Sequence, residues 1–141
     1  ASANEVVEAV NFNAPAQVVI AGHKAAVDRA CEKAKQAGAK RALPLAVSAP
    51  FHSTLLAPAG ARLKMALADI ALAPPRISLV NNVDVAIEQE PSRIIDALVR
   101  QASSPVRWVE VVQRLKSIGV DQVIEFGPGK VLTGLIPRID K

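Results

Sequence analysis

Short alternating runs of apolar residues near the start of the chain predict β-strands. Residues 5–11 (EVVEAVN) and 17–21 (QVVIA) are rich in valine and isoleucine, and the turn-forming sequence NAPA lies between them at 13–16. A third run, RALPLAV at 41–47, alternates in the same way, but Pro44 restricts it to a sheet edge or a bulge because proline donates no ladder hydrogen bond. The pattern therefore predicts three short strands within residues 1–47.

Helical spacing interrupts these strands at residues 23–37, where apolar residues recur every three or four positions. The apolar face consists of Val27, Ala30, Cys31 and Ala34. Gly38 follows as the glycine expected just beyond a helix end. The order strand, strand, helix, strand indicates an incomplete half of an α+β sandwich, with Cys31 as an ordinary core-facing residue.

From Ser48 onward, apolar stripes of helical period alternate with short continuous apolar runs. The pattern predicts helices from the loop at 48–53 to about Ile70, from Pro91 to Gln101, from Pro105 to Gly119 and from about Val131, with strands at 77–80 and 122–126. Such an alternation is typical of a parallel α/β sheet. We therefore predict two units, residues 1–47 and 48–141, with the boundary near 47–48.

Composition and charge exclude several classes of function. Half of the 141 residues are hydrophobic and the formal net charge is +4, but the basic residues are scattered. Without a basic stripe or interleaved aromatic residues, nucleic-acid binding is not expected, whereas an acidic partner or anionic ligand fits. No apolar run approaches the roughly 20 residues that span a bilayer, so no membrane association is expected. A single cysteine is compatible with the cytoplasm, and a start without methionine indicates that Ala1 is not the natural first residue.

The chain has two histidines, and each is a candidate for acid–base chemistry. His23 precedes a predicted helix and is interpreted as a surface or capping residue. His52 lies in the polar loop SAPFHS at 48–53, the kind of scaffolded loop where catalytic groups concentrate. Local sequence alone does not decide its role, since a catalytic imidazole needs a nucleophile to deprotonate and an acceptor to orient it.

No nucleophile or metal site accompanies these histidines in the sequence. There is no G-x-S-x-G elbow, and Ser48 and Ser53 are too close to His52 to form one. Two distant histidines and one cysteine match no metal-ligand spacing, so no metal is expected. The sequence GPGK at 127–130 lacks the spacing of a phosphate loop and is interpreted as a strand-to-helix turn whose helix N-terminus favours an anion nearby.

Several segments, in order along the whole chain, resemble bacterial malonyl-CoA:acyl carrier protein transacylases. They are VNFNAPAQVVIAGH (10–23), AKRALPL (39–45), SAPFHS (48–53), VNNVDV (80–85), DALVRQ (96–101), SPVRW (104–108) and EFGPGKVLTGL (125–135). The paired asparagines Asn11 and Asn13, which local chemistry reads only as turn or cap residues, fall within the first segment. These segments resemble the C-terminal portion of the proteins in that family.

The resemblance implies a fold and a set of site residues. The expected fold is α/β, the C-terminal part of an α/β-hydrolase-like acyltransferase domain, plus an incomplete ferredoxin-like α+β small domain. His52 occupies the position of the catalytic histidine, Gln101 that of the residue whose main-chain carbonyl orients it, and Asn11 and Asn13 those of pocket-edge residues. The implied substrates are malonyl-CoA and acyl carrier protein, with no cofactor.

Departures from the family pattern bear on activity. The serine elbow, the arginine for the malonyl carboxylate and the oxyanion loop belong to an N-terminal half that this sequence lacks. Ala102 and Ser103 replace bulkier residues, and Ala16 replaces a common glycine. The leading interpretation is a fragment that is inactive alone. The alternative is a non-enzymatic module that binds acyl carrier protein through basic residues such as Arg62, Lys64 and Lys116; a freestanding nucleotide-binding domain has little support.

Overall fold

The computed structural model describes residues 4–140, and its first element is a β-hairpin. Strand β1 (Val7–Ala14) pairs antiparallel with β2 (Gln17–Gly22) around a two-residue turn at Pro15 and Ala16. The predicted hairpin is confirmed, although β1 begins and ends later than the alternating run suggested. It extends to Ala14 because the pairing continues up to the turn.

The edge of β1 that faces away from β2 contacts the second part of the chain. Phe12 donates its backbone N–H to the carbonyl of Val106 at 2.9 Å, and Val106 donates to the carbonyl of Val10 at 2.8 Å. Asn11 and Val106 thus form an isolated parallel bridge. Register shifts in β1, between Ala9 and Asn11 and between Phe12 and Ala14, disturb the pairing with β2 beside this bridge.

Helix α1 (Lys24–Gln36) follows the hairpin, as the helical spacing predicts. Its last turn is followed by Gly38, whose φ of 93° is readily available only to glycine. Only Ala26 on this helix is fully buried, and Cys31 is half-buried. The four residues of the predicted apolar face are the half-buried residues of this helix, whereas Ala26, its fully buried residue, was not among them.

All four helices predicted after Ser48 are present. They are α2 (Ala57–Leu67), preceded by a short 3-10 turn (Thr54–Leu56), α3 (Pro91–Gln101), α4 (Trp108–Ser117) and α5 (Val131–Ile139). The prediction that α2 reaches Ile70 is wrong by three residues. The prediction that α4 begins at Pro105 is wrong by three residues: the helix begins at Trp108, because Val106 is held in the bridge with Asn11.

Three runs that the sequence predicted as strands, residues 41–47, 77–80 and 122–126, are hereafter called the three apolar segments. The first and third form no strand, and the second contributes only β3 (Leu79–Val80), paired antiparallel with β4 (Ile87–Glu88). The predicted parallel sheet is therefore wrong for residues 4–140. An alternating pattern shows that a segment suits a sheet, but a strand forms only where a neighbour pairs with it. Within residues 4–140 the first and third segments have no such neighbour, and the second has only the two-residue strand β4.

The apolar segments remain exposed, whereas a small core forms elsewhere. Leu43 is 69% exposed, Ile77 is 81% exposed and Phe126 is 91% exposed. The buried apolar residues within residues 4–140 are Val10, Ala14, Ala26, Ile94, Ala97, Val111, Val112 and Leu135. No helix in residues 4–140 is both long and apolar enough to cross a membrane.

Candidate functional site

The loop that carries His52 is a tight turn built around one buried residue, Ser53. Ser53 is 0% exposed, and its hydroxyl donates a hydrogen bond of 2.6 Å to the carbonyl of Pro50, which also accepts the Ser53 backbone N–H at 3.2 Å. His52 has a φ of 63°, in the left-handed region that costs a non-glycine residue about 1–2 kcal/mol. A strained backbone held in place by buried hydrogen bonds is common where a side chain must be aimed precisely enough for function.

The turn after His52 is joined to β1 by a single carboxylate. Glu8 accepts the backbone N–H of Thr54 at 2.7 Å and its hydroxyl at 2.8 Å. These bonds satisfy an otherwise free N–H at the start of the 3-10 turn. Glu8 thereby connects the His52 loop to the strand that carries Asn11 and Asn13.

His52 and Gln101 are in contact. The imidazole Nδ1 of His52 lies 3.1 Å from the main-chain oxygen of Gln101, the last residue of α3. A carbonyl oxygen only accepts, so Nδ1 must carry the proton in this contact, and Nε2 then presents a lone pair. The contact selects the tautomer that a general base needs at Nε2.

Helix α2 approaches the end of α3 closely enough to bring these residues together. Gly60 of α2 is buried, and a Cβ atom at that position would lie 3.0 Å from the carbonyl oxygen of Val99 and 3.6 Å from the Cβ of Ala102. Since α2 begins just after His52 and α3 ends at Gln101, this close packing sets the separation between the imidazole and the carbonyl.

Asn11 and Asn13 both lie on β1 and are half-buried. Asn11 takes part in the parallel bridge with Val106 through its backbone. Within residues 4–140, neither asparagine side chain makes a hydrogen bond, and none joins them to His52. Their amides thus keep their donors and acceptors available, but a binding role stays a prediction.

His23 has a structural role, as the sequence suggested. Its ring Nδ1 accepts the backbone N–H of Val6 at 2.9 Å, and the backbone N–H of His23 donates to the carbonyl of Val6 at 2.9 Å. The ring therefore fixes the start of α1 to the chain preceding β1. Among residues 4–140 there is no group of three or more His, Cys, Asp or Glu side chains that would hold a metal ion.

The N-terminus of α5, suggested as an anion position, is occupied by the protein's own carboxylate. Glu125 accepts the backbone N–H groups of Leu132 at 3.1 Å and Thr133 at 2.9 Å, and the Thr133 hydroxyl at 2.7 Å. These hydrogen bonds lower the pKa of Glu125, and the bond from the Thr133 hydroxyl contributes most. The GPGK turn is thus closed by an internal cap.

A polar turn at residues 81–86 supports the end of α3, and sequence reasoning did not assign it to the site. Arg100 donates to both carboxylate oxygens of Asp84, at 2.9 and 2.7 Å, and to Asp96 at 2.7 Å. The hydrogen bonds from Arg100 hold the pKa of Asp84 below its ordinary value. The sequence signal that could have assigned Arg100 to the site was its position directly before Gln101 in the segment DALVRQ.

The other supporting contacts offer no comparable sequence signal. Glu8 and Thr54 are separated by 46 residues, and nothing near either residue indicates their pairing. The sequence does not indicate the positive φ of His52 either, because such a position is ordinarily recognised by a glycine or asparagine. The positions of these residues follow from tertiary packing.

Comparison with known proteins identifies the family. A family model described as "Acyl transferase domain" matches residues 1–138. The chain is 57% identical over 139 residues to the malonyl CoA-acyl carrier protein transacylase of Haemophilus influenzae, covering 99% of this chain and 45% of that protein. The chain thus spans less than half the length of this relative.

Solved structures give the same result. An acyl-carrier-protein S-malonyltransferase from Burkholderia pseudomallei superposes with a TM-score of 0.95 at 65% identity, covering 99% of this chain and 45% of that one. A malonyl-transacylase in complex with a type II PKS acyl-carrier protein matches with a TM-score of 0.95 at 53% identity and the same coverage. The mixed α/β fold, the ordered motifs and these matches show that the chain belongs to the acyl transferase domain family.

Proposed function

We propose that this chain supplies the histidine half of a malonyl-CoA:acyl carrier protein transacylase, with His52 as general base and Gln101 as its orienting acceptor. The observation that carries the proposal is the 3.1 Å contact between His52 Nδ1 and the Gln101 carbonyl in a member of this family. That contact leaves Nε2 free to take a proton. The proposed compartment is the cytoplasm, as the resemblance implies.

In the first proposed half-reaction, Nε2 of His52 accepts the proton of a serine hydroxyl that belongs to the rest of the protein. The serine oxygen bonds to the malonyl thioester carbon, and the tetrahedral intermediate then expels coenzyme A as its carbon–sulfur bond breaks. His52 returns the proton to the departing thiolate. The product is a malonyl-serine ester and free coenzyme A.

The second half-reaction repeats these steps with a new nucleophile. His52 takes the proton of the phosphopantetheine thiol of acyl carrier protein, the thiolate attacks the ester, and the serine oxygen recovers the proton from His52 as its bond to the acyl carbon breaks. No cofactor takes part, because both steps are acyl transfers without oxidation. Asn11 and Asn13 are proposed to line the substrate pocket with their unpaired amides.

The proposed activity requires the rest of the transacylase, and the three apolar segments are the proposed contact. Each has little or no strand pairing and presents exposed apolar side chains, such as Ile77 and Phe126, and burying these side chains is favourable. The relatives also extend over more than twice the matched length. On this proposal residues 77–80 and 122–126 become strands of an α/β-hydrolase-like sheet. Residues 41–47 become a strand of the ferredoxin-like small domain, of which residues 1–47 are an incomplete part.

The test is a chimaera in which this chain replaces the portion that it matches in the Burkholderia pseudomallei malonyltransferase. We expect it to transfer radiolabelled malonyl from coenzyme A to acyl carrier protein. His52→Ala should lower kcat about 10²–10⁴-fold, the usual contribution of general acid–base catalysis.

His23→Asn is the matched control, since it alters the other histidine while keeping an acceptor for the Val6 N–H. We expect this variant to retain transfer at nearly the rate of the parent chimaera. Undiminished turnover in His52→Ala, with both proteins folded, would show that His52 is not the base.

A non-enzymatic module that binds acyl carrier protein is the second candidate. Arg62 and Lys64 are exposed on α2 and form no ion pair within residues 4–140, whereas Lys116 is already paired with Asp140 at 2.6 Å. Calorimetric titration of the chain with acyl carrier protein distinguishes the two. Binding that is lost in an Arg62→Ala and Lys64→Ala double variant favours the module, and absence of binding removes it.

A further inference from the structure

The carbonyl of Gln101 lies at the end of α3, where main-chain acceptors lose their helical partners. The two preceding carbonyls are used locally, because Val99 accepts from Ala102 at 3.4 Å and Arg100 accepts from Ser103 at 3.1 Å. The Gln101 carbonyl instead accepts from His52 at 3.1 Å. Its direction therefore depends on how the last turn of α3 is held.

The side chain of Arg100 holds that turn. Its Nη1 and Nη2 donate to the two carboxylate oxygens of Asp84 at 2.9 and 2.7 Å, and its Nε donates to Asp96, one turn earlier on α3, at 2.7 Å. The planar guanidinium fixes both distance and angle in such a fork. Exposed ion pairs add little stability, so the main effect of this pair is geometric.

Asp84 is itself a rigid anchor. Its backbone N–H donates to the side-chain oxygen of Asn81 at 2.7 Å, and Asn81 is only 7% exposed. Asn81 also donates its backbone N–H to the carbonyl of Ala86 at 2.9 Å, which closes the turn. Val85, inside the turn, has a φ of 56°, a conformation that a β-branched residue adopts only when its surroundings impose it.

The same turn holds the chain on the other side of Gln101. Asn82 donates its amide to the carbonyl of Pro105 at 3.2 Å and accepts the Arg107 backbone N–H at 2.8 Å. Arg107 in turn donates its Nη1 to the carbonyl of Val83 at 3.0 Å. Residues before and after Gln101 are thus attached to one anchor.

We propose that Arg100 is a positioning residue for acyl transfer, which aims the Gln101 carbonyl at His52 Nδ1 by clamping the end of α3 to Asp84. The proposal rests on the proposed function of His52. Without the clamp, the last turn of α3 frays, the carbonyl loses its direction, and the His52 ring no longer favours the tautomer with a free Nε2.

The test compares Arg100→Met with Arg93→Met in the chimaera defined above. Both changes remove an arginine from α3, but Arg93 lies in its first turn, and its side chain makes no hydrogen bond or ion pair within residues 4–140. For Arg100→Met we expect kcat to fall roughly 10-fold with little change in KM for malonyl-CoA, since small misplacements of reacting groups are costly. Arg100→Lys, which keeps one contact to Asp84, should recover part of the loss.

The direct readout is the ¹⁵N NMR spectrum of the His52 ring. In the parent and in Arg93→Met, we expect Nδ1 to be protonated in the neutral form; in Arg100→Met, the two tautomers should mix. Asp84→Asn, which weakens the clamp from the other side, should produce a smaller change in the same direction. It replaces Arg100→Met as the test variant if Arg100→Met does not fold.

An unchanged kcat in Arg100→Met, or a loss of kcat with unchanged His52 ring shifts, overturns the positioning role. Failure of the proposed function gives a different result. In that case, His52→Ala retains full turnover, while the ring shifts of Arg100→Met still report whether the clamp orients His52.

Discussion

The surroundings of His52 and the three apolar segments differ in how many of their contacts this chain itself provides. Around His52, the hydrogen bonds of the buried Ser53, the contact with Gln101 and the capping carboxylate of Glu8 all come from described residues of the chain. The apolar segments, in contrast, expose Leu43, Ile77 and Phe126 with little or no strand pairing. The difference indicates that the contacts orienting His52 come from this chain. On the proposed function, the rest of the protein completes the sheet.

The largest expected effect is on the free energy of unfolding, and it distinguishes a side chain of the apolar segments from one that this chain already buries. Phe126→Ala should leave the stability of the isolated chain nearly unchanged, because the ring is 91% exposed. In the chimaera, it should cost about 3–5 kcal/mol, as for a phenylalanine removed from a core. Urea unfolding of both proteins measures the free energies.

Leu135→Ala is the matched control, since Leu135 is 6% exposed within this chain. It should destabilise both the isolated chain and the chimaera, by about 2–5 kcal/mol. Equal small effects of Phe126→Ala in the two proteins would mean that the third apolar segment is not covered by the rest of the transacylase.

A smaller effect is expected inside the His52 turn. Ser53→Ala removes a fully buried hydroxyl that donates to the Pro50 carbonyl, and it should cost about 0.5–1.5 kcal/mol in unfolding free energy, because that carbonyl keeps the Ser53 backbone N–H. Ser117→Ala removes an exposed hydroxyl with the same three-residue spacing to the Arg114 carbonyl and should cost less than about 0.5 kcal/mol. Equal costs would show that the turn is not held by its buried bond.

The smallest effect is a pH dependence of the clamp. Hydrogen bonding from Arg100 lowers the pKa of Asp84 in the folded protein, so this group stabilises the fold above its unfolded pKa and loses that contribution as the pH falls towards its folded value. Because the pair is about 40% exposed, the contribution should be below about 1 kcal/mol.

Unfolding measured from pH 6 to pH 3 should therefore show a shallower loss of stability in Asp84→Asn than in the parent. Asp69→Asn, an exposed change on the chain after α2 without an ion pair in residues 4–140, should retain the parent slope. A parallel slope in Asp84→Asn would show that the carboxylate is not held by Arg100 in solution.

The sequence predicted helices better than strands for a physical reason. The hydrogen bonds of α3 lie within its own residues, so its apolar spacing and Pro91 were sufficient to place it from Pro91 to Gln101. The segments at 41–47 and 122–126 carry a strand pattern too, but their hydrogen bonds require other strands. No local signal states whether such a partner lies within the chain.

The candidate site was predictable only in part. The resemblance placed His52 and Gln101 together, and the structure brings them to 3.1 Å. The clamp between Arg100 and Asp84 was not anticipated, because its residues are 16 positions apart and belong to different elements. The catalytic role of His52, the binding roles of Asn11 and Asn13, and the boundary near 47–48 stay predictions.

The most direct measurement exposes the isolated chain to radiolabelled malonyl-CoA, alone and with the complementary portion of the Burkholderia pseudomallei malonyltransferase added as a separate chain. Because His52 has its orienting carbonyl here but its proposed nucleophile elsewhere, we expect no label on the isolated chain. The mixture should carry one label, on the added portion, and pass it to acyl carrier protein. Stoichiometric labelling of the isolated chain would contradict this account.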